Sequence, residues 1–203
     1  MLARALALLV LFVLPLPVLA EDHTLRVMAS TVRLSIRGLL GGGTCTAFSI
    51  NDKKALFLTA DHCLKGEVRI TGDEWPVEVV YRDKANDLAV VRARGNRRQH
   101  LVAAAADAAP GERLGYIGYG HGWEYPLSLK GTAEGFGWLI HPLNIFVLIS
   151  PKCYPGMSGG PIFNAAGEIV SIMQMANDSL DICAGKPLGI ILALTGEYWQ
   201  ERR

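Results

Sequence analysis

The chain has 203 residues, half of them hydrophobic, and carries 20 basic against 19 acidic side chains for a formal net charge of +1 at pH 7. That composition excludes an intrinsically disordered chain, which lacks the apolar residues to build a core, and excludes the strongly basic surface of a general nucleic-acid binder.

In chain order, residues 1–20 carry Arg4, an apolar stretch from Ala5 to Leu14, and Val18-Leu19-Ala20 ahead of Glu21-Asp22. This pattern predicts a secretory signal peptide cleaved after Ala20, and hence a periplasmic or secreted protein. Pro15, Pro17 and the short apolar core argue against a spanning helix of about 20 apolar residues, so no stable membrane insertion is expected after cleavage. No cysteine follows the cut, so no lipid anchor is expected there. The remainder suits two small β-barrels, residues 21–105 and 106–203, with no room for an appended recognition domain. In an oxidising compartment the four cysteines predict two disulfides, although sequence alone leaves three connectivities open.

Short runs rich in Val, Ile, Leu, Phe and Thr follow, separated by turn residues and without a helical apolar period. They predict strands at Val32–Ile36, Thr46–Ile50, Ala55–Thr59, Val68–Ile70, Val77–Tyr81 and Leu88–Arg92. The basic stretch Arg92 to Arg98 reads as a solvated linker leading into Ala103–Ala106. Strands resume within Gly111–Tyr119 and then at Ser128–Glu134, Ile145–Ile149, Pro161–Phe163, Ile169–Met175 and Leu188–Ala193, and Gly196 to Gln200 predicts a short closing helix. The predicted class is all-β, two Greek-key barrels packed face to face.

Three segments carry the chemistry. Gly156-Met157-Ser158-Gly159-Gly160-Pro161 sets a serine in a glycine-flanked turn, where the amides of Gly156 and Ser158 can both point at one developing oxyanion. His62 ends the apolar run before Cys63, and Asp87 enters Leu88-Ala89-Val90-Val91. The remaining histidines, His23, His100, His121 and His141, have no comparable context, and no paired Cys-x-x-Cys or His-x-x-x-His pattern predicts a zinc site.

His62, Asp87 and Ser158 in this order, each in such a context, resemble the chymotrypsin-fold serine peptidases; subtilisins and α/β-hydrolases order their triads differently. The resemblance implies His62 as general base, Asp87 as its orienting partner, Ser158 as nucleophile, a backbone oxyanion hole at Gly156 and Ser158, and no metal or cofactor. It implies bridges Cys45–Cys63 and Cys153–Cys183, and a substrate-binding set of Pro151, Lys152, Met173, Gln174, Met175, Ala176 and Gly189. Digestive members place an aspartate just before the nucleophile, to pair with an N-terminus released by cleavage. Here that position is Met157, so activity without zymogen cleavage is expected, as in bacterial or viral members. The pocket base lacks an aspartate, which disfavours cleavage after Lys or Arg; medium apolar residues are expected, with acidic residues second if Lys152 faces inward. The expected protein is a monomeric exported serine endopeptidase with protein or peptide substrates and no nucleic-acid partner. The alternatives are a non-catalytic binding protein that keeps the fold, or a narrow-specificity esterase or self-processing peptidase.

Overall fold

The apolar runs of the first half form six antiparallel strands: β1 (Thr31–Gly38), β2 (Gly41–Asn51), β3 (Leu56–Thr59), β4 (Glu67–Ile70), β5 (Glu78–Asp83) and β6 (Leu88–Arg92). Their order in the sheet is β4-β1-β2-β3-β6-β5. In the computed structural model, residues 23–38, 41–95, 97–138, 145–150, 153–177 and 182–201 are described. The predicted signal peptide, Pro151 and Lys152 lie outside them. Every predicted strand of this half is present. β2 begins earlier than expected, because Gly41, Gly42 and Gly43 pair with Gly38, Arg37 and Ile36. The sheet is a half-barrel, with β4 and β5 unpaired to each other among the described residues.

The second half contains β7 (Arg113–Gly118), β8 (Leu127–Trp138), β9 (Ile145–Ser150), β10 (Pro161–Phe163), β11 (Ile169–Asn177) and β12 (Ile182–Pro187). They close into a barrel in the order β10-β11-β12-β9-β8-β7, and β10 returns to pair with β7. Closure leaves no unpaired edge strand among the described residues of this half.

Two local expectations are corrected, and one element was not expected. The strand expected at Leu188–Ala193 is a helix, α2 (Leu188–Thr195), and the last strand is β12 just before it. A short apolar run reads alike for a buried strand and a buried helix. Here Leu188, Ile191 and Thr195 are the buried positions, the spacing of one helical face. The expected short C-terminal helix is present as α2, but earlier in the chain: Gly196–Gln200, where it was expected, contributes only a 3-10 turn, Gly196–Tyr198, that continues α2. An unexpected helix, α1 (Thr24–Ala29), precedes β1. It buries Val27, and the Arg26 guanidinium donates to the carbonyls of Ala166 and Gly167 at 3.2 and 3.1 Å. The chain therefore docks on the β10–β11 hairpin before it enters the first sheet.

Alternation along the strands sorts side chains into three apolar groups. Phe57 and Ala47 join Val32, Leu34 and Val91 inside the first half. Tyr116, Val147, Ile149, Met157, Val170 and Met173 fill the second barrel. The third group faces across the halves: Phe48, Ile50, Leu56 and Leu58 meet Ile117, Phe163, Ile169, Ile172 and Ile191. Each such side chain stabilises the docked arrangement by about 1.5–3 kcal/mol relative to exposure. Docking is thus driven by the same burial that folds each half. Among the described residues no helix is long and apolar enough to cross a membrane.

Candidate active site

The serine turn needs its glycines. Gly156 and Gly159 have φ of +96° and +83°, and a Cβ on them would lie 2.4 Å from the Tyr119 carbonyl oxygen and 2.1 Å from the Thr46 carbonyl oxygen. Only a residue without a side chain fits either place. The turn closes through Met157 N–H to Tyr154 O (3.1 Å) and Gly160 N–H to Met157 O (2.9 Å). Thr46 of β2 then ties it to the other half: its amide donates to Ser158 O at 2.8 Å, and its hydroxyl donates to Gly156 O at 2.8 Å. From β11, Met173 O accepts the Gly159 amide at 2.7 Å. Among the described residues the amides of Gly156 and Ser158 have no acceptor. The Pro155 carbonyl accepts from His121 N–H at 2.6 Å. In a trans peptide the following N–H points the opposite way, so this bond aims the Gly156 amide away from His121.

His62 lies in the 3-10 turn Asp61–Cys63 that follows β3. Its backbone N–H donates to Asp87 Oδ1 at 2.8 Å, and its Nδ1 lies 2.8 Å from Asp87 Oδ2. A carboxylate only accepts, so Nδ1 carries a proton and the neutral ring presents its lone pair at Nε2. The two side chains are 38% and 29% exposed, which leaves them open to a substrate. The neighbouring Asp61 carboxylate accepts from Arg82 Nε at 2.5 Å, and this bond raises the Arg82 pKa above its ordinary value.

Asp87 has φ 52°, a left-handed conformation that Asp tolerates better than most residues. The turn before it is organised by Asp83, whose carboxylate accepts from the Asn86 amide (2.9 Å) and side chain (3.0 Å). Burial acts to raise the Asp83 pKa, but these bonds, with others from Ala85 and Tyr81, hold it below the ordinary value. Lys186 of β12 is fully buried. Burial lowers its pKa, while the charges of Asp87 and Asp83 act in the opposite sense.

Ser158 comes from the other half and lies beside the His62 turn, with its carbonyl oxygen 3.7 Å from the sulfur of Cys63, the residue after His62. Its hydroxyl donates to Gln174 O at 3.5 Å, and among the described residues no hydrogen bond joins it to His62.

A model of the trypsin-like peptidase domain matches residues 45–172, well over half of the chain. The chain belongs to the trypsin-like peptidase family. It is 27% identical over 166 residues to an uncharacterized protein, y4bJ, of Sinorhizobium fredii, which covers 76% of this chain and 24% of that protein. It is 28% identical over 153 residues to a probable periplasmic serine endoprotease, DegP-like, of Hahella chejuensis, covering 71% of this chain and 32% of that protein. The chain thus spans about a quarter to a third of the length of these curated relatives. Among solved structures, the active form of the Rv3671c protease from M. tuberculosis superposes with a TM-score of 0.76 at 18% identity, covering 93% of this chain and 90% of that one. The HtrA-type protease AlgW with tripeptide gives 0.71 at 19% identity, covering 88% and 62%. At such identities the likeness establishes the fold.

Within the trypsin-like frame, the sulfurs are paired as Cys45–Cys63 and Cys153–Cys183, with Cα separations of 5.9 and 5.6 Å. Cys45, His62 and Cys63 lie close enough together to suggest a metal site, but the two sulfurs are bonded to each other and offer no thiolate. Met157 is 1% exposed and belongs to the barrel's apolar core. Of the expected pocket residues, Met173 is also core, whereas Met175 is half-buried and Ala176 exposed beside the Cys153–Cys183 bridge. Gly189 is corrected: it sits in the first turn of α2, where its amide donates to Asp107 Oδ1 at 3.2 Å, instead of on a strand bordering the pocket. Gln174 directs its side chain at the Asp87 turn.

Sequence reasoning did not single out Thr46, Asp61, Arg82 or Lys186. Asp61 carried a signal through its place beside His62. Thr46 and Lys186 carried none, because their partners are remote in sequence.

Proposed function

We propose that the chain is an exported serine endopeptidase working through His62, Asp87 and Ser158. The observation that carries this reading is the double contact of Asp87 with His62, at 2.8 Å on both the backbone and the ring, beside the Ser158 turn of the other half, whose Ser158 carbonyl oxygen lies 3.7 Å from the sulfur of Cys63, the residue after His62. His62 Nε2 takes the Ser158 hydroxyl proton as the oxygen attacks the substrate carbonyl. The C–O bond forms as the carbonyl π electrons move onto oxygen, and the Gly156 and Ser158 amides receive that oxyanion. Collapse expels the amine, which takes its proton from His62, and water then releases the acyl group by the same steps in reverse roles. Asp87 fixes the tautomer and stabilises the protonated imidazole without accepting the proton.

Export is supported by the leader-like residues 1–20, by the two disulfides, and by similarity to a protein described as periplasmic. Buried Met157 occupies the place where digestive members carry a charged activation partner, which supports activity without a second N-terminal cut. Half-buried Met175 and exposed Ala176 support a preference for medium apolar side chains.

The decisive experiment treats the mature protein with a fluorophosphonate and maps the adduct. Modification of Ser158 that is lost in His62→Ala is expected. An unmodified wild type returns the chain to the binding-protein reading. Cleavage of a peptide library then reads specificity, and dominant cutting after Lys or Arg would overturn the pocket assignment.

A further inference from the structure

β11 carries one residue too many for its partner. Met173 pairs with Gly185 and Met175 with Ala184, so Gln174 is the extra residue of a β-bulge. A bulge breaks the strict alternation of side chains and re-aims the one it carries. Met173 and Gln174 are accordingly both buried, at 2% and 3% exposure. The re-aimed side chain crosses from the second barrel to the first half. Its Nε2 donates to the carbonyls of Asn86 and Asp87, each at 2.7 Å.

Both partners are acceptors, so the amide orientation is fixed by chemistry: only the NH2 group can face them. The left-handed Asp87 sits where the strand's usual alternation of carbonyls is broken, and the two successive oxygens converge on one donor. A primary amide nitrogen supplies two protons without a charge, the match this pair requires. The other end of the same amide argues against a role in stability alone. Among the described residues Gln174 Oε1 is buried with no partner, a desolvation cost that an apolar side chain of similar length would avoid. The main chain of Gln174 also reaches the nucleophile, since its carbonyl oxygen accepts the Ser158 hydroxyl.

We propose that Gln174 is a positioning residue, a clamp through which the second barrel holds the Asp87 turn of the first half in register with His62. This rests on the peptidase reading above. The clamp makes the Asp87–His62 geometry depend on docking of the two halves, so the site is complete only in the assembled molecule.

The test begins with Gln174→Met, which keeps length and loses both donors. Its kcat on a peptide substrate should fall roughly 10- to 100-fold, the scale of a small misplacement at a catalytic group, with KM within about twofold of wild type. A raised KM with unchanged kcat would instead make Gln174 a substrate contact and overturn the clamp. In an Asp87→Asn background the same substitution should cost less than about twofold further, because it acts through Asp87; full additivity would also overturn it. Proton NMR supplies a readout that needs no turnover. The wild-type Gln174 side-chain amide should exchange slowly, and the His62 Nδ1 proton should exchange faster in Gln174→Met. Solvent-rate exchange of the wild-type amide, or an unchanged His62 proton, would sink the proposal even if the enzyme is active. A wild type inert to substrate and fluorophosphonate would sink the peptidase reading, while these protons still decide the clamp. If Gln174→Met does not fold, Gln174→Asn, which withdraws the amide by one methylene, is read in the same assays and should show the same loss of kcat.

Discussion

Single side chains at this site do work that their neighbours cannot take over. Asp87 accepts two bonds from one histidine, so Asp87→Asn, which keeps the shape, presents a donor where the ring's proton must go. Turnover should fall by a factor on the order of 10⁴, the loss typical of the chymotrypsin-type triad, with an unchanged fold by circular dichroism. Met157 illustrates the opposite case, a residue whose value lies in being apolar. A Cβ on Gly118 would lie 2.9 Å from Met157 Cβ, so the surrounding backbone is packed tightly against this side chain. Met157→Asp places a carboxylate in that core and should destabilise the protein by about 3 kcal/mol or more, measured by urea unfolding. A neutral result would mean that a cation reaches this position.

At the scale of an element, the turn from Asp83 to Asp87 is held by its own first residue and clamped by Gln174 at its last. The Asp83 pKa is lowered in the folded protein from an ordinary value of 3.8. Its stabilising bonds are therefore fully present above about pH 4 and are lost as pH falls through the folded value. Asp83→Ala should lower the melting temperature at pH 7, and the gap to wild type should shrink at pH 3. A gap that is constant with pH would remove Asp83's charge from the account. The bulge at Gln174 and the glycine start of β2 are further element-scale devices, each setting where a strand presents its side chains.

The whole molecule is held by the apolar group between its halves. Phe48 is fully buried in that group, packs edge-on against Trp199 with ring centroids 6.3 Å apart, and lies one residue from Ala47 of the first half's own core. Phe48→Ala should cost about 3–5 kcal/mol, and activity and stability should fall together in one cooperative transition. Separate unfolding of two units by calorimetry would contradict this coupling. The same scale accounts for Thr46, Gln174 and α1, each of which bonds or packs on a segment of the other half.

Much of the architecture was legible in the amino-acid order because its signals are local. Apolar runs between turn residues located all six strands of the first half and most of the second, and the glycines of the Ser158 turn announced a backbone that other residues cannot adopt. His62, Asp87 and Ser158 each stood in a short recognisable context. The helical state of 188–195 was not legible, since the same apolar residues suit a strand until neighbouring surfaces select one face. Gly189 was misplaced with it. The aim of Gln174 depends on how many residues β12 sets opposite β11, and the partners of Thr46, Arg26 and Lys186 lie on segments that only folding brings near. Sequence by itself determined most of the strands and the candidate residues His62, Asp87 and Ser158, because those signals lie within a few residues. Tertiary structure decided their mutual orientation, because that is set by pairing register and by burial between halves.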